Sequence, residues 1–206
     1  MVDPNEHDVF LLRQRIKLVI KQYEFVLPPA GPGAELGEKI CFVEQKRFKF
    51  KEDNRFYVDD SKQEELLRIK ARQRFDPAAT YDVTDEEGTK FGEIQKVFGK
   101  SLLRSTYRIN DRNSNELATV TEKSLPVAIF RRLVGFIPYI ENVADWLPIP
   151  YHFIFLRGDQ VIGENRRQMW KFRDVYTIDM TSDPERTLDR RLVLAIAVGM
   201  DALQAR

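Results

Sequence analysis

The sequence predicts a closed antiparallel β-barrel of about twelve strands wound around a hydrophobic C-terminal helix. Two observations carry that prediction. The middle of the chain repeats a hairpin pattern at spacings of 25 and 26 residues, and the end holds a run that is apolar on every face of a helix.

The repeat is read from three starts: Phe56-Tyr-Val-Asp-Asp, Tyr81-Asp-Val-Thr-Asp and Tyr107-Arg-Ile-Asn-Asp. Each sets an aromatic, an aliphatic and an aspartate at alternate positions, then a polar turn. Each returns on a second alternating run, at Leu66–Ile69, Phe91–Ile94 and Leu117–Val120. Period-two alternation on both sides of a polar turn is the signature of a β-hairpin. Two weaker copies flank these. Tyr23–Phe25 returns on Ile40–Val43 across a Pro28-Pro-Ala-Gly-Pro-Gly33 loop, and Phe153–Phe155 returns on Val161–Glu164 across Gly158-Asp159. Five hairpins give ten strands. Val175–Ile178 reads as another, and Lys46–Phe50 is a further candidate. Gly92-Glu93 and Gly163-Glu164 place a glycine at the same point of two strands, which predicts a bulge or a close backbone approach. The period is too short for propeller blades of about 40 residues, and the turns vary too much for a solenoid.

Asp183-Pro184-Glu185 has the form of a helix start, with an N-cap, a proline at N1 and an acid in the first turn. Leu192–Met200 follows, nine apolar residues, far short of the roughly 20 that span a bilayer. A helix apolar all round must then be surrounded by protein. A barrel of about twelve strands is too wide to fill with its own side chains. A helix down its middle fills it, and closure removes the edge strands. Arg190 and Arg191 are expected at the helix mouth, paired with strand-end carboxylates. The expected organisation is a mobile segment over residues 1–8 and a single barrel domain over 9–206. That domain includes an apolar helix or loop insert at 124–150 and the central helix at 183–206.

Composition narrows the function classes. The 206 residues are 43% hydrophobic and 32% charged, a globular balance with a net charge of only +1. Any attraction to nucleic acid or membrane must come from a local patch. A single cysteine, Cys41, excludes an internal disulfide and suggests a cytoplasmic protein, peripheral to a membrane if it touches one. The polar, acidic start is unlike a signal peptide. With only His7 and His152, a histidine-based triad or zinc site has little material, and no phosphate-loop or dinucleotide motif occurs. No enzyme activity and no cofactor are expected. Asp82–Gly88 lacks the ligand spacing of an EF-hand loop and reads as a hairpin turn.

Four segments, taken together, resemble the LURP-one-related family of the tubby C-terminal-like superfamily. They are Phe42-Val-Glu-Gln-Lys46, Tyr81-Asp-Val-x-Asp-x-x-Gly88, Ser101-x-x-Arg104-Ser105 and Asp189-Arg-Arg-Leu-x-Leu-Ala. The resemblance runs from about Val9 to the C-terminus. It implies a twelve-stranded barrel around a central helix. It also implies relatives among the tubby domains, which bind phosphoinositides, and the phospholipid scramblases, which are linked to calcium and lipid movement.

Two candidate sites follow from the residues. Arg68, Lys70, Arg72 and Arg74 alternate, which on a strand puts four cations in one row with Ile69 and Ala71 on the other face. Such a row can track phosphates, and Lys46 and Lys49 lie one connection earlier. Against this, the row can be an outer barrel face balanced by acids such as Glu64 and Glu65. A second candidate, a membrane contact, is the apolar stretch from Pro126 to Pro150 with Phe130, Arg131, Arg132, Phe136 and Trp146. Its alternative is a segment closing one barrel end. The leading function is a non-enzymatic module that binds an anionic phospholipid or other phosphate-bearing ligand. The alternatives are a protein-interaction scaffold and scramblase-like lipid handling. Candidate partners are an anionic lipid surface and a protein; nucleic acid is disfavoured by the near-zero net charge.

Overall fold

A computed structural model of the protein describes residues 2–16, 20–46, 53–72, 80–97, 105–124, 152–168 and 175–204. Among the described residues the elements are a 3₁₀ turn at Pro4–Glu6, twelve strands and one helix. The strands are β1 (Val9–Ile16), β2 (Ile20–Val26), β3 (Lys39–Lys46), β4 (Asp53–Tyr57), β5 (Glu65–Ala71), β6 (Thr80–Thr84), β7 (Lys90–Lys96), β8 (Thr106–Asp111), β9 (Glu116–Glu122), β10 (His152–Arg157), β11 (Gln160–Arg167) and β12 (Val175–Asp179). The helix α1 runs over Arg190–Gln204.

Each strand pairs antiparallel with its neighbours in sequence, and β1 pairs with β12 to close the barrel. Phe10 lies opposite Ile178, and Leu12 opposite Tyr176. All five expected hairpins form, and Val175–Ile178 falls in β12. The remaining strand is β1. Its Phe10-Leu11-Leu12 run hides the alternation, because Leu11 faces outward yet is buried, while the polar Gln14 points inward at 5% exposure. Bulges interrupt β6–β7 opposite Gly92 and β10–β11 opposite Gly163, as the paired glycines predict.

The helix supplies what the barrel width demands. Twelve strands about 4.8 Å apart and tilted by about 40° give a barrel radius of about 12 Å. A helix about 10–12 Å across, dressed by one layer of inward side chains, fills that space. No residue from Leu192 to Val198 is more than 2% exposed. They share one core cluster with Phe25, Phe56, Ile109, Phe153 and other inward residues of the strands. At about 2 kcal/mol for each buried Leu, Ile or Val, this helix is a main source of stability.

The helix begins later than Asp183-Pro184-Glu185 suggests. Arg186 takes a left-handed backbone (φ 50°), which breaks any helical path through this stretch. The carboxylate of Asp183 accepts from the Leu188 amide and the Thr187 hydroxyl, so it caps a tight turn. Asp189 starts the helix: its Oδ1 accepts from the Arg191 amide at 2.9 Å. The N-terminal residues pack against the helix start. Pro4 is buried, and Asn5 Oδ1 accepts from the Arg190 amide at 2.8 Å.

Candidate functional site

Register decides what the cationic row can do. On β5, Leu67 and Ile69 point into the barrel, and Arg68 and Lys70 point out, as the alternation predicts. Arg72 follows directly after the strand and is exposed. Lys70 lies opposite Asp53 of β4 and Asp82 of β6. Arg68 grips Asp53 through two hydrogen bonds, one of them 2.6 Å. Arg72 donates to both oxygens of Asp82, the shortest at 2.7 Å, and also to Glu93. Lys90 of β7 bridges Glu93 at 2.8 Å and Asp82 at 3.2 Å.

The row is therefore one strand of a cross-strand ladder spanning β4 to β8. The acids that balance it are Asp53, Asp82 and Glu93. Of the two acids expected from the sequence, Glu65 pairs instead with Arg55 at 3.6 Å. Glu93 is the unusual member: it lies on the outer face yet is only 3% exposed. Asn110 donates to it at 2.9 Å. Burial pushes its pKa up, but bonds from Lys90, Asn110 and Ser114 and the charge of Arg72 outweigh that and hold it at about 2. Arg68 draws Asp53 below the usual carboxylate range. These carboxylates stay ionised at neutral pH, which suits them to hold charge and not to shuttle protons. Within the described residues, Lys70 is the cation of the row that makes no ion pair.

Arg74 and Lys49 lie outside the described residues, as does the side chain of Lys46 at the end of β3. The five membrane-contact candidates, Phe130, Arg131, Arg132, Phe136 and Trp146, also fall outside them. His152 pairs with Glu164 across β10 and β11 at 2.9 Å. Burial lowers its pKa. Cys41 is fully buried, and burial pushes its thiol pKa up. Among the described residues, no three His, Cys, Asp or Glu side chains converge to hold a metal ion. None of the described helices is long and apolar enough to cross a membrane.

The end of the barrel where α1 enters carries a second charged assembly. Arg190 is fully buried and binds Asp183 and Asp8, each at 2.8 Å. Burial pushes Asp183 up, but Arg190, Thr187 and the Leu188 amide hold it down at about 2. Arg191 lies over the Phe91 ring at 4.1 Å and pairs with Asp189. Beside it opens a cleft of about 540 Å³, lined by Asp3, Pro4, Asn5, Leu66, Asp85, Glu86, Glu87 and Arg191. Sequence reasoning placed Arg190 and Arg191 at this mouth but gave no sign of the cleft, which the 3₁₀ turn and the β6–β7 turn form together.

The model of the LURP-one-related family matches residues 39–201, from β3 into α1. The chain belongs to the LURP-one-related family. No curated protein matches it. The LURP-one-related match begins after β1 and β2, the two strands that complete the ring in front of β3. A twelve-stranded barrel with a buried helix is consistent with the wider tubby-like grouping.

Proposed function

We propose that this LURP-one-related protein is a non-enzymatic binding module that takes a phosphate-bearing anionic ligand on the outside of its barrel. One observation carries the reading. Because α1 fills the interior over Leu192–Met200, the described residues leave no lumen for a small ligand there, so recognition falls to the outer surface. There β5 offers Arg68, Lys70 and Arg72 in line, with Lys70 unpaired among the described residues. The Arg68–Asp53 pair is about one-third exposed on both sides. Exposed pairs of this kind are worth about 0–1 kcal/mol, so a phosphate can displace the carboxylate. The ligand class is an anionic phospholipid headgroup or another phosphate.

The pairing of Arg68 and Arg72 with strand carboxylates favours a second reading, a protein-interaction scaffold on which these cations only brace the wall. Liposome co-sedimentation separates the two. Binding to vesicles with anionic lipid and not to neutral ones, lost on Arg68→Glu, Lys70→Glu and Arg72→Glu in a folded protein, supports the module. No binding at any salt concentration sinks it and leaves the scaffold. Scramblase-like lipid handling would instead require calcium-dependent lipid turnover.

A further inference from the structure

The register of the outer wall sets two arginines against each other. Arg55 of β4 and Arg68 of β5 are direct cross-strand partners, and both side chains point out of the barrel. Facing side chains on paired antiparallel strands start about 5 Å apart, and like charges placed so repel. On its other side Arg68 faces Thr84 of β6, whose side chain also points out. The three residues form one row that crosses three strands.

The neighbouring acids use only part of what this row can donate. Asp53 accepts from Nε and Nη2 of Arg68, which fixes the guanidinium and leaves its Nη1 without a hydrogen bond among the described residues. That one carboxylate is shared: the charges of Arg55 and Lys70 act on it as well. Arg55 has Glu65 at 3.6 Å but makes no hydrogen bond among the described residues, and nearly half of its side chain is exposed. The Thr84 hydroxyl has no partner among them either. A whole guanidinium fork, the free edge of a second one and a hydroxyl therefore stand side by side on the surface.

We infer that this row holds a phosphomonoester, seated between Arg55 and Arg68 with Thr84 at its side. The inference rests on the anionic-ligand reading above and names the chemical group and its seat, which runs across β4, β5 and β6 instead of along β5. A phosphomonoester has three free oxygens and close to two negative charges. The fork of Arg55 matches two of those oxygens, and the third is left for Arg68 Nη1 and the Thr84 hydroxyl. The bound charge also offsets the repulsion between the two arginines. A phosphodiester has two free oxygens and one charge, and so leaves donors of the row unmatched. The seat lies on the wall of a closed barrel, with no edge strand for an extended peptide to join. That favours a lipid headgroup or a small soluble phosphomonoester over a phosphopeptide.

The test uses the full chain and three probes. These are phosphatidylcholine vesicles carrying phosphatidic acid, the same vesicles carrying phosphatidylserine at equal surface charge, and glycerol 3-phosphate in solution. Wild type is compared with Arg55→Gln, Thr84→Val, Thr84→Ser and Lys70→Gln, each first matched to it in thermal unfolding. The wild type is expected to prefer phosphatidic acid to phosphatidylserine, or to bind glycerol 3-phosphate directly. Arg55→Gln should weaken that binding by about tenfold or more, the worth of a hydrogen bond to a charged group. Thr84→Val should weaken it by about fivefold and Thr84→Ser restore it, while Lys70→Gln costs less than about threefold. Binding confined to phosphatidic acid vesicles supports a lipid headgroup as the source, and comparable binding of glycerol 3-phosphate supports a soluble one. If Lys70→Gln abolishes binding while Arg55→Gln keeps it, the seat is wrong and the anionic-ligand reading stands. Equal binding to the two anionic lipids, with none to glycerol 3-phosphate, overturns the phosphomonoester and leaves that reading in place. Tighter binding to a phosphoserine peptide than to any of the three probes overturns the choice of ligand. Absence of binding to all of them overturns both readings.

Discussion

Gly92 of β7 stands directly against Leu192 of α1: a Cβ at position 92 would lie 2.7 Å from the Leu192 Cδ2. The absence of a side chain there lets the barrel wall and its central helix approach closely, beside the bulge between β6 and β7. Gly163 likewise leaves no room for a Cβ, there against Met180, just after β12, and the Asp179 carbonyl.

Gly92→Ala is therefore expected to lower stability by about 1–3 kcal/mol, the range for forcing a methyl group into a packed interior. Gly163→Ala is expected to cost more, since its Cβ would lie 2.8 Å from the Asp179 carbonyl, against 3.0 Å to the Asn110 carbonyl at Gly92, and backbone cannot rotate away. Denaturant midpoints measure both. Pairing Gly92→Ala with Leu192→Ala recovers part of the Gly92→Ala loss if the Leu192 contact is its cause.

Breaking the buried Arg190–Asp183 pair is expected to cost about 3–5 kcal/mol, because the partner left behind is an unpaired charge in the interior. Asp183→Asn and Arg190→Met both test this. The pair also sets an acid limit. A carboxylate whose folded pKa is depressed stabilises the fold above its unfolded pKa and loses that contribution as pH falls through the folded value. With Asp183 and Glu93 both at about 2 in the fold, stability should fall between about pH 5 and pH 2. Thermal unfolding followed across that window should show a shallower fall in Glu93→Gln.

The ladder members should differ sharply in cost. Arg68→Gln removes a partly exposed pair and should change stability by less than about 1 kcal/mol. Glu93→Ala should cost about 2–3 kcal/mol, because it strips the Asn110 amide of its partner beneath Arg72 and Lys90. Equal losses for the two substitutions would show that the outward ladder is energetically uniform.

Asn165 of β11 is fully buried, and among the described residues neither its amide nitrogen nor its oxygen has a hydrogen-bond partner. It shares register with Phe153 and Ile178, both wholly interior. Replacing such a group by an apolar one of similar shape removes a desolvation penalty of about 1–3 kcal/mol. Asn165→Leu should raise the melting temperature. A lowered one would mean that the amide is satisfied by buried water.

The barrel was legible in the sequence because its hairpins are local. Aromatic–aliphatic alternation around Tyr81 and Tyr107 names each strand and each turn without reference to the rest of the chain. The helix was legible because Leu192–Met200 has no polar face. Features that depend on partners distant in sequence were not legible. Nothing near Arg68 shows that Asp53 holds it, and nothing near Arg72 shows that Glu93 lies beneath it. Both facts come from register between strands. β1 escaped notice because its one inward polar residue, Gln14, and its buried outward Leu11 each contradict the alternation. The helix start was misplaced because Asp183 has the same capping chemistry whether it closes a turn or opens a helix.

Ring closure joins the first strand to the last, with Val9 facing Asp179, and the helix that fills the ring follows both. On the ribosome, no length of nascent chain short of β12 can complete the hydrogen-bond circuit. Until α1 emerges, the aromatic lining of the wall has nothing to pack against. Contacts of such long range also make folding slow. The period of greatest exposure to aggregation thus comes late in synthesis, after most of the wall exists and before its plug does. A stop codon just ahead of Arg190 would leave all twelve strands displaying their inner faces, a species for chaperones and proteases to clear.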